Sequence, residues 1–230
     1  MLAVGFPAGS FETNCYVVAP APGEECVVID PGQDAAPGVD EVVREHRLKP
    51  VAVILTHGHL DHVWSVTPVC GARDVPAYIH PDDRELLSNP AKGFNPTVAA
   101  QLLGGLTLSE PDEVCELRDG EVLRLAGLEL TVDHAPGHTP GSVAFRAPAD
   151  ADSTTLFAGD LLFAGSIGRT DLPGGDYSTI LQSLARVCLP LPDESSVLPG
   201  HGPGTTIGRE RATNPFLAEA GAAARTRGVS

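Results

Sequence analysis

Residues Thr56 to His62 read T-H-G-H-L-D-H, which places three of the chain's eight histidines and one aspartate in a single short run. Neutral imidazole and ionised carboxylate are the side chains that divalent zinc, iron and manganese accept. His57, His59, Asp61 and His62 can therefore supply up to four ligands from one loop. In an extended loop His57 and His59 fall on one side, whereas Asp61 and His62, adjacent and turning into a helix, can point to a second position. One loop could feed two metals. A solvated polar loop is the bland alternative, and the density of ligand types argues against it.

Such a loop needs a rigid base. Val51 to Leu55 (V-A-V-I-L) is a short continuous apolar run of the kind that forms a strand buried on both faces, so the cluster leaves the carboxyl end of a core strand. Open α/β sheets bind ligands at that end. Three later segments repeat the construction of a strand followed by a turn. Leu128 to Asp133 leads into H-A-P-G-H-T-P-G-S with His138, Thr154 to Ala158 into Gly159-Asp160, and Ser196 to Leu198 into P-G-H-G-P-G with His201. Singly, each is an ordinary turn residue or helix cap. Together they form a set.

At this level of detail the chain resembles a metallo-β-lactamase-fold hydrolase, close to the glyoxalase II (hydroxyacylglutathione hydrolase) branch. The matching pieces are T-H-G-H-L-D-H, A-P-G-H-T-P-G-S, F-A-G-D, I-G-R-T-D-L-P-G-G-D, L-P-G-H-G-P-G-T-T-I-G-R-E and N-P-F, spread from Asn14 to Phe216. The resemblance implies that His57, His59 and His138 hold a first metal, that Asp61, His62 and His201 hold a second, and that Asp160 bridges them. Five histidines and two aspartates give two sets of three plus a shared carboxylate, which leaves open coordination positions for catalysis. Two divalent ions are expected, zinc first, with iron or manganese compatible with the same donors. The expected reaction is hydrolysis of a small-molecule thioester, an S-2-hydroxyacyl thiol such as S-lactoylglutathione or an analogous thiol ester. A hydroxide shared between the metals would be the nucleophile, with Asp61 and Asp160 as the catalytic carboxylates holding it in line. The alternative from another reaction class is a persulfide dioxygenase with one iron on His57, His138 and Asp160. A non-enzymatic scaffold would be expected to have lost ligands, and none is missing.

The surroundings are less explicit. Arg169, beside Asp171 in G-R-T-D-L, either braces its loop or faces a substrate carboxylate, and Arg209 and Arg211 are candidate contacts for an anionic substrate. His134 is expected to support a ligand, while His46 and His80 are expected at the surface or in caps. Trp64 would narrow the pocket. Residues 88–112 carry weak periodicity and many breakers, so they form either a lid or a connector.

At 230 residues with 42% hydrophobic content, the chain fits one α/β domain, residues 1–216, followed by a frayed tail, residues 217–230. The formal charge of −15 repels nucleic acid phosphates. No secretory signal or membrane-spanning run is visible, and a cytoplasmic, membrane-free protein is expected. Oligomeric state is not readable. Five cysteines without C-x-x-C spacing read as small apolar residues, and Asp30-Pro31-Gly32 reads as a turn. Expected helices cover Val39 to His46, His62 to Cys70, Pro81 to Leu87, Tyr177 to Val187 capped by Asp176, and Ile207 to Thr213. Further strands are expected at Leu2 to Gly5, Tyr16 to Ala19, Cys26 to Ile29, Ala77 to Ile79 and Val122 to Leu125. Strands and helices recurring in two halves suggest a four-layer αββα sandwich.

Overall fold

The computed structural model describes residues 1–104, 106–150 and 153–227. Two six-stranded sheets face each other. The first is β1 (Leu2–Ala8), β2 (Thr13–Ala19), β3 (Glu25–Ile29), β4 (Lys49–Ile54), β5 (Ala77–Ile79) and β6 (Val114–Glu116), in that order. The second, across the sheet, runs β12 (Thr205–Thr206), β11 (Ser196–Pro199), β10 (Ser153–Gly159), β9 (Val143–Asp150), β8 (Leu128–His134) and β7 (Val122–Leu125). Helices α1 (Ala35–His46), α2 (Leu60–Val63), α3 (Val66–Gly71), α4 (Pro81–Arg84) and α5 (Pro96–Leu103) belong to the first half; α6 (Tyr177–Val187), α7 (Ile207–Thr213) and α8 (Pro215–Arg227) belong to the second.

Strand alternation builds the layers. In β2 and β3, Cys15, Val17, Cys26 and Val28 enter a core shared with Val39 of α1 and Val69 of α3, while Tyr16, Val18, Val27 and Ile29 enter a second core between the sheets. In β9 and β10, Phe145 and Phe157 join that central core, and Ala144, Leu156 and Ala158 face a third core with Ile180 and Leu184 of α6 and Leu217 of α8. Three cores separate four layers, as the αββα expectation requires. Across the central core, Tyr16 meets Phe157 edge-on at 5.6 Å, a contact worth about 0.5–1.5 kcal/mol beyond the area it buries.

The end of the chain differs from expectation. The stretch after Phe216 is not frayed: α8 continues to Arg227, and its Leu217 and Ala220 are buried in the third core. Its alanines are the best helix formers and are small enough to lie close against α6. Residues 228–230 of the expected tail lie outside the described residues. The helix expected over His62 to Cys70 is two helices. At the break the Ser65 N–H donates to the Pro31 carbonyl at 2.9 Å, which ties this corner to the D-P-G turn. Strand β9, central between β8 and β10, and the short β6 were missed, and Pro148 in β9 is the kind of residue that hides a strand.

Four loops leave β4, β8, β10 and β11 toward one another. The Thr56 carbonyl accepts the Val143 N–H at 2.8 Å, and the Gly159 carbonyl accepts the Gly200 N–H at 2.8 Å, so the loops are stitched together by backbone.

Candidate metal centre

All seven expected residues meet in one place. His138 Nε2 lies 2.8 Å from His59 Nδ1 and 3.2 Å from His57 Nε2. Beside this trio, His201 Nε2 lies 3.1 Å from Asp61 Oδ2 and 3.3 Å from His62 Nε2. Asp160 stands between them, with Oδ1 3.4 Å from His62 Nε2 and Oδ2 3.4 Å from His138 Nε2. Each trio can present one ligand atom per residue to a common point, since those atoms lie within 4.8 Å of one another.

The hydrogen bonds behind the imidazoles decide which nitrogen faces the centre. His138 Nδ1–H donates to the Arg169 carbonyl at 2.7 Å, and His62 Nδ1–H donates to Asp30 Oδ2 at 2.9 Å. The Thr56 hydroxyl donates to Asp30 Oδ2 at 2.6 Å, which leaves its oxygen to accept His57 Nδ1–H at 3.1 Å. Nε2 lone pairs of His57, His62 and His138 therefore converge. Such outer partners raise ligand basicity and fix ring orientation. Asp30, read from sequence as turn punctuation, is thus the carboxylate beneath the centre. It is 2% exposed, adopts a positive φ of 49°, and also accepts the Thr56 N–H.

Electrostatics separates the two trios. Burial pushes the His57 imidazole well below its ordinary value, with the neighbouring histidines adding to the effect, and burial with His138 takes His59 down to about 3. Both are neutral at physiological pH. Burial also disfavours the charged form of His62, but Asp61 and Asp160 overcome it and raise His62 well above the usual histidine range. His201 is raised in the same way, through its hydrogen bond to Asp61 and the charge of Asp160, against burial. Burial would raise both carboxyls, yet His62 holds Asp61 and Asp160 below the carboxylate range. A divalent cation would take the place of the proton that this second trio otherwise shares.

The residues fit such ions. Asp160 Oδ1 is buried with no hydrogen-bond partner, at a cost of about 1–3 kcal/mol, and His59 turns Nδ1 to the other two histidines of its trio. His59 Nδ1, His57 Nε2 and His138 Nε2, gathered at 2.8–3.2 Å with Asp160 Oδ2 3.4 Å from the last, are acceptors that one cation can satisfy together. Space is trimmed to match, for a Cβ on Gly200 would stand 2.3 Å from Asp160 Oδ1, and one on Gly168 would stand 2.0 Å from the Asp160 carbonyl oxygen.

Three further groups went unnoticed in sequence. Asp83 of α4, fully buried, accepts the N–H of Gly58 and of Gly141 and the hydroxyl of Thr139, each at 2.7–2.8 Å, so it pins the His57–His59 loop to the His138 loop. Thr13 donates to Asp61 Oδ2 at 3.0 Å, while Asn14 Nδ2 and the Tyr16 hydroxyl donate to the Pro199 carbonyl at 3.0 and 2.7 Å, behind His201. Glu210, also fully buried, accepts the Gly165 N–H at 2.7 Å. Cys15, between Asn14 and Tyr16, is buried in the outer core, as expected of a small apolar residue.

A cavity of about 390 Å³ opens in front of the centre, and Arg169 lines it. The Arg169 guanidinium holds Asp171 through two bonds of 2.7 and 2.8 Å. Arg209 and Arg211 are not part of the lining, which corrects the expectation for them. Strand β12 runs back along β11 and carries α7 away from the ligand end, where Arg211 donates to the carbonyls of Leu189 and Leu191. Trp64 likewise ends α2 outside the lining. Residues 88–112 do reach the site: Phe94 stands 6.5 Å from His59, ring to ring, and α5 follows. His134 does not touch the cluster; it stacks on His80 at 4.1 Å.

Comparison with known proteins agrees with this geometry. The profile of the metallo-beta-lactamase superfamily matches residues 8–201. A protein of Mycobacterium tuberculosis (strain ATCC 25618 / H37Rv) is 48% identical over 94% of this chain and 98% of its own length. Hydroxyacylglutathione hydrolase GloC of Haemophilus influenzae is 34% identical over 92% of this chain and 95% of its own. Among solved structures, BLEG-1 B3 metallo-beta-lactamase superposes with a TM-score of 0.82 at 38% identity, covering 94% of this chain and 99% of that one. TTHA1623 in a di-iron-bound form gives 0.75 at 42%, covering 94% and 100%.

Proposed function

The chain belongs to the metallo-beta-lactamase superfamily, whose metal-dependent hydrolases its His/Asp centre matches, and from that membership we propose that it cleaves the thioester bond of a low-molecular-weight acyl thiol. The observation that carries the proposal is the meeting of two complete trios at Asp160 in front of a single cavity. His57, His59 and His138 would hold one divalent ion and Asp61, His62 and His201 the other, with Asp160 shared and zinc the first candidate for both. Bound there, the pair would supply an ionised water at neutral pH and a Lewis acid for the carbonyl oxygen.

The chain's own residues do the rest. Asp61 and Asp160 accept hydrogen bonds from the attacking water and hold it in line with the acyl carbon. Thr13 fixes the rotation of the Asp61 carboxylate through Oδ2. Asp30 keeps His62 Nδ1 protonated and its Nε2 facing inward. His201, 30% exposed on its side chain, stands at the edge of the cavity where substrate enters. Carboxylic acid and free thiol leave by the same opening. The name of the GloC relative supports thioesters as the substrate class.

The experiment is a panel of thioesters, β-lactams and glutathione persulfide assayed on protein of measured metal content. Two metals per chain with thiol release are expected. One iron per chain with oxygen uptake on the persulfide, or faster opening of β-lactams than of any thioester, overturns the proposal.

A further inference from the structure

The cavity walls describe the substrate more narrowly than the centre does. Beyond the ligand residues, Phe11 from the β1–β2 turn, Phe94, and Phe163, Ile167 and Leu172 from the segment after β10 line the cavity. Two of the rings stand against the two trios. Phe94 lies near-parallel to His59, with centroids 6.5 Å apart and 27° between planes, and Phe163 meets His201 edge-on at 6.1 Å and 90°. A molecule that reaches the metals is therefore flanked by aromatic and aliphatic carbon on both sides.

Charge recognition, by contrast, is scarce. Among the described residues that line the cavity, Arg169 is the one arginine or lysine, and Asp171 already takes two of its donors. Arg209 and Arg211 lie elsewhere, and the chain carries a formal charge of −15. A thiol carrier with two carboxylates, such as glutathione, would lose water from those groups without gaining a free cation in return, and unpaired desolvated charge opposes binding. An apolar chain of several carbons loses nothing of the kind and gains wherever it covers the phenylalanines.

We propose that the substrate is a thioester with an apolar acyl chain on a carrier that is uncharged near the sulfur, and that Phe94 and Phe163 set this preference, a proposal that rests on the thioesterase reading. The acyl chain lies between the two rings, the ester carbonyl lies at the centre, and the carrier points to the Arg169 side of the opening. Attack of hydroxide on the acyl carbon breaks the C–S bond and gives the carboxylate and the thiol, with no change of oxidation state.

The test uses the intact, metal-loaded protein and straight-chain acyl groups of increasing length on two carriers, N-acetylcysteamine and glutathione. We expect kcat/KM to climb about fourfold per methylene, which corresponds to about 0.8 kcal/mol per buried CH2, until the cavity is full, and the uncharged carrier to be at least as good as glutathione. Phe94→Ala and Phe163→Ala should each flatten that slope, with urea midpoints recorded to show that the variants are folded. Rates that do not depend on chain length, or S-lactoylglutathione outrunning every longer acyl thioester, overturn the inference and leave the thioesterase reading intact. Failure of every thioester overturns the thioesterase reading instead. In that case the binding of non-hydrolysable S-alkyl N-acetylcysteamine thioethers, measured calorimetrically, still decides the claim about the walls: affinity that rises with alkyl length and falls in Phe94→Ala supports it, and length-independent affinity refutes it.

Discussion

Replacing Asp83 with alanine should damage the centre without touching a ligand. Its carboxylate accepts three bonds, from Gly58 N–H at 2.8 Å, Thr139 Oγ1–H at 2.7 Å and Gly141 N–H at 2.8 Å. Thr139 keeps a partner in the Ser142 hydroxyl at 2.7 Å, but the two buried backbone N–H groups do not. Bonds to a charged acceptor are worth about 1.5–3 kcal/mol each, so two of them set a cost of about 3–6 kcal/mol. With a urea slope of about 3 kcal/mol per molar for a domain of this size, the midpoint should fall by about 1–2 M. Gly58 lies between His57 and His59, and Thr139 follows His138, so metal affinity should fall first at that trio. Asp83→Asn retains one carbonyl acceptor and should lose about half as much stability. Urea melts and metal competition with a chromophoric chelator measure both effects. An Asp83→Ala variant within about 1 kcal/mol of the parent and binding both metals unchanged would refute the assignment of Asp83 as the tie between the loops.

Asp160→Ala should abolish turnover while the circular dichroism spectrum is retained, and metal analysis should show fewer ions per chain; undiminished activity would refute the bridging role. Asp30→Asn should cost about 10–100-fold in metal affinity, mostly at the His62 position, because the imidazole loses the carboxylate that orients it. Gly200→Ala places a methyl 2.3 Å from Asp160 Oδ1 and should lower kcat far more than it lowers the melting temperature, read by paired kinetics and calorimetry. Chelation should leave secondary structure intact, because the trios are tied by protein groups. Readdition of metal to a thousandfold excess over Kd should raise stability by about 4 kcal/mol per site, and a melting temperature independent of metal would refute this.

The seven residues of the centre were legible because they are local. His57, His59, Asp61 and His62 share one loop, and His138, Asp160 and His201 each follow a strand, so residue type and spacing carry the information. The paired sheets and the helices Tyr177–Val187 and Ile207–Thr213 were legible for the same reason, through alternation and caps such as Asp176, whose side chain accepts the Thr179 N–H at 2.7 Å. Asp30, Asp83 and Glu210 were not legible. Each makes bonds to residues that are distant in sequence, Asp30 to Thr56 and His62, Asp83 to Thr139 and Gly141, Glu210 to Gly165, and although Asp30 and Glu210 sit in motifs that sequence singles out, those distant partners are not written in the motifs. Arg209 and Arg211 failed in the opposite sense. Proximity to His201 in sequence suggested proximity in space, and the reversal at β12 removed it.

These three buried carboxylates explain how four loops hold a geometry that places like lone pairs together. A buried ion is costly unless donors surround it, and each of the three has several: Glu210, for instance, takes Gly165 N–H, Thr205 Oγ1–H at 2.6 Å and Asn214 Nδ2–H at 2.9 Å. Each carboxylate takes donors from a segment other than its own, so satisfying it fixes the segments relative to one another. Asp30 sets the β4 loop against the D-P-G turn, Asp83 sets it against the His138 loop, and Glu210 with Asn214 sets the segment that carries Phe163, since Asn214 Nδ2 also donates to the Ser166 carbonyl at 3.1 Å. The G-R-E and N-P-F motifs thus act on the cavity wall from behind rather than on substrate. Ordering accomplished by the protein's own hydrogen bonds need not be supplied by the ions, and binding energy otherwise spent on arranging ligands remains available for polarising the substrate.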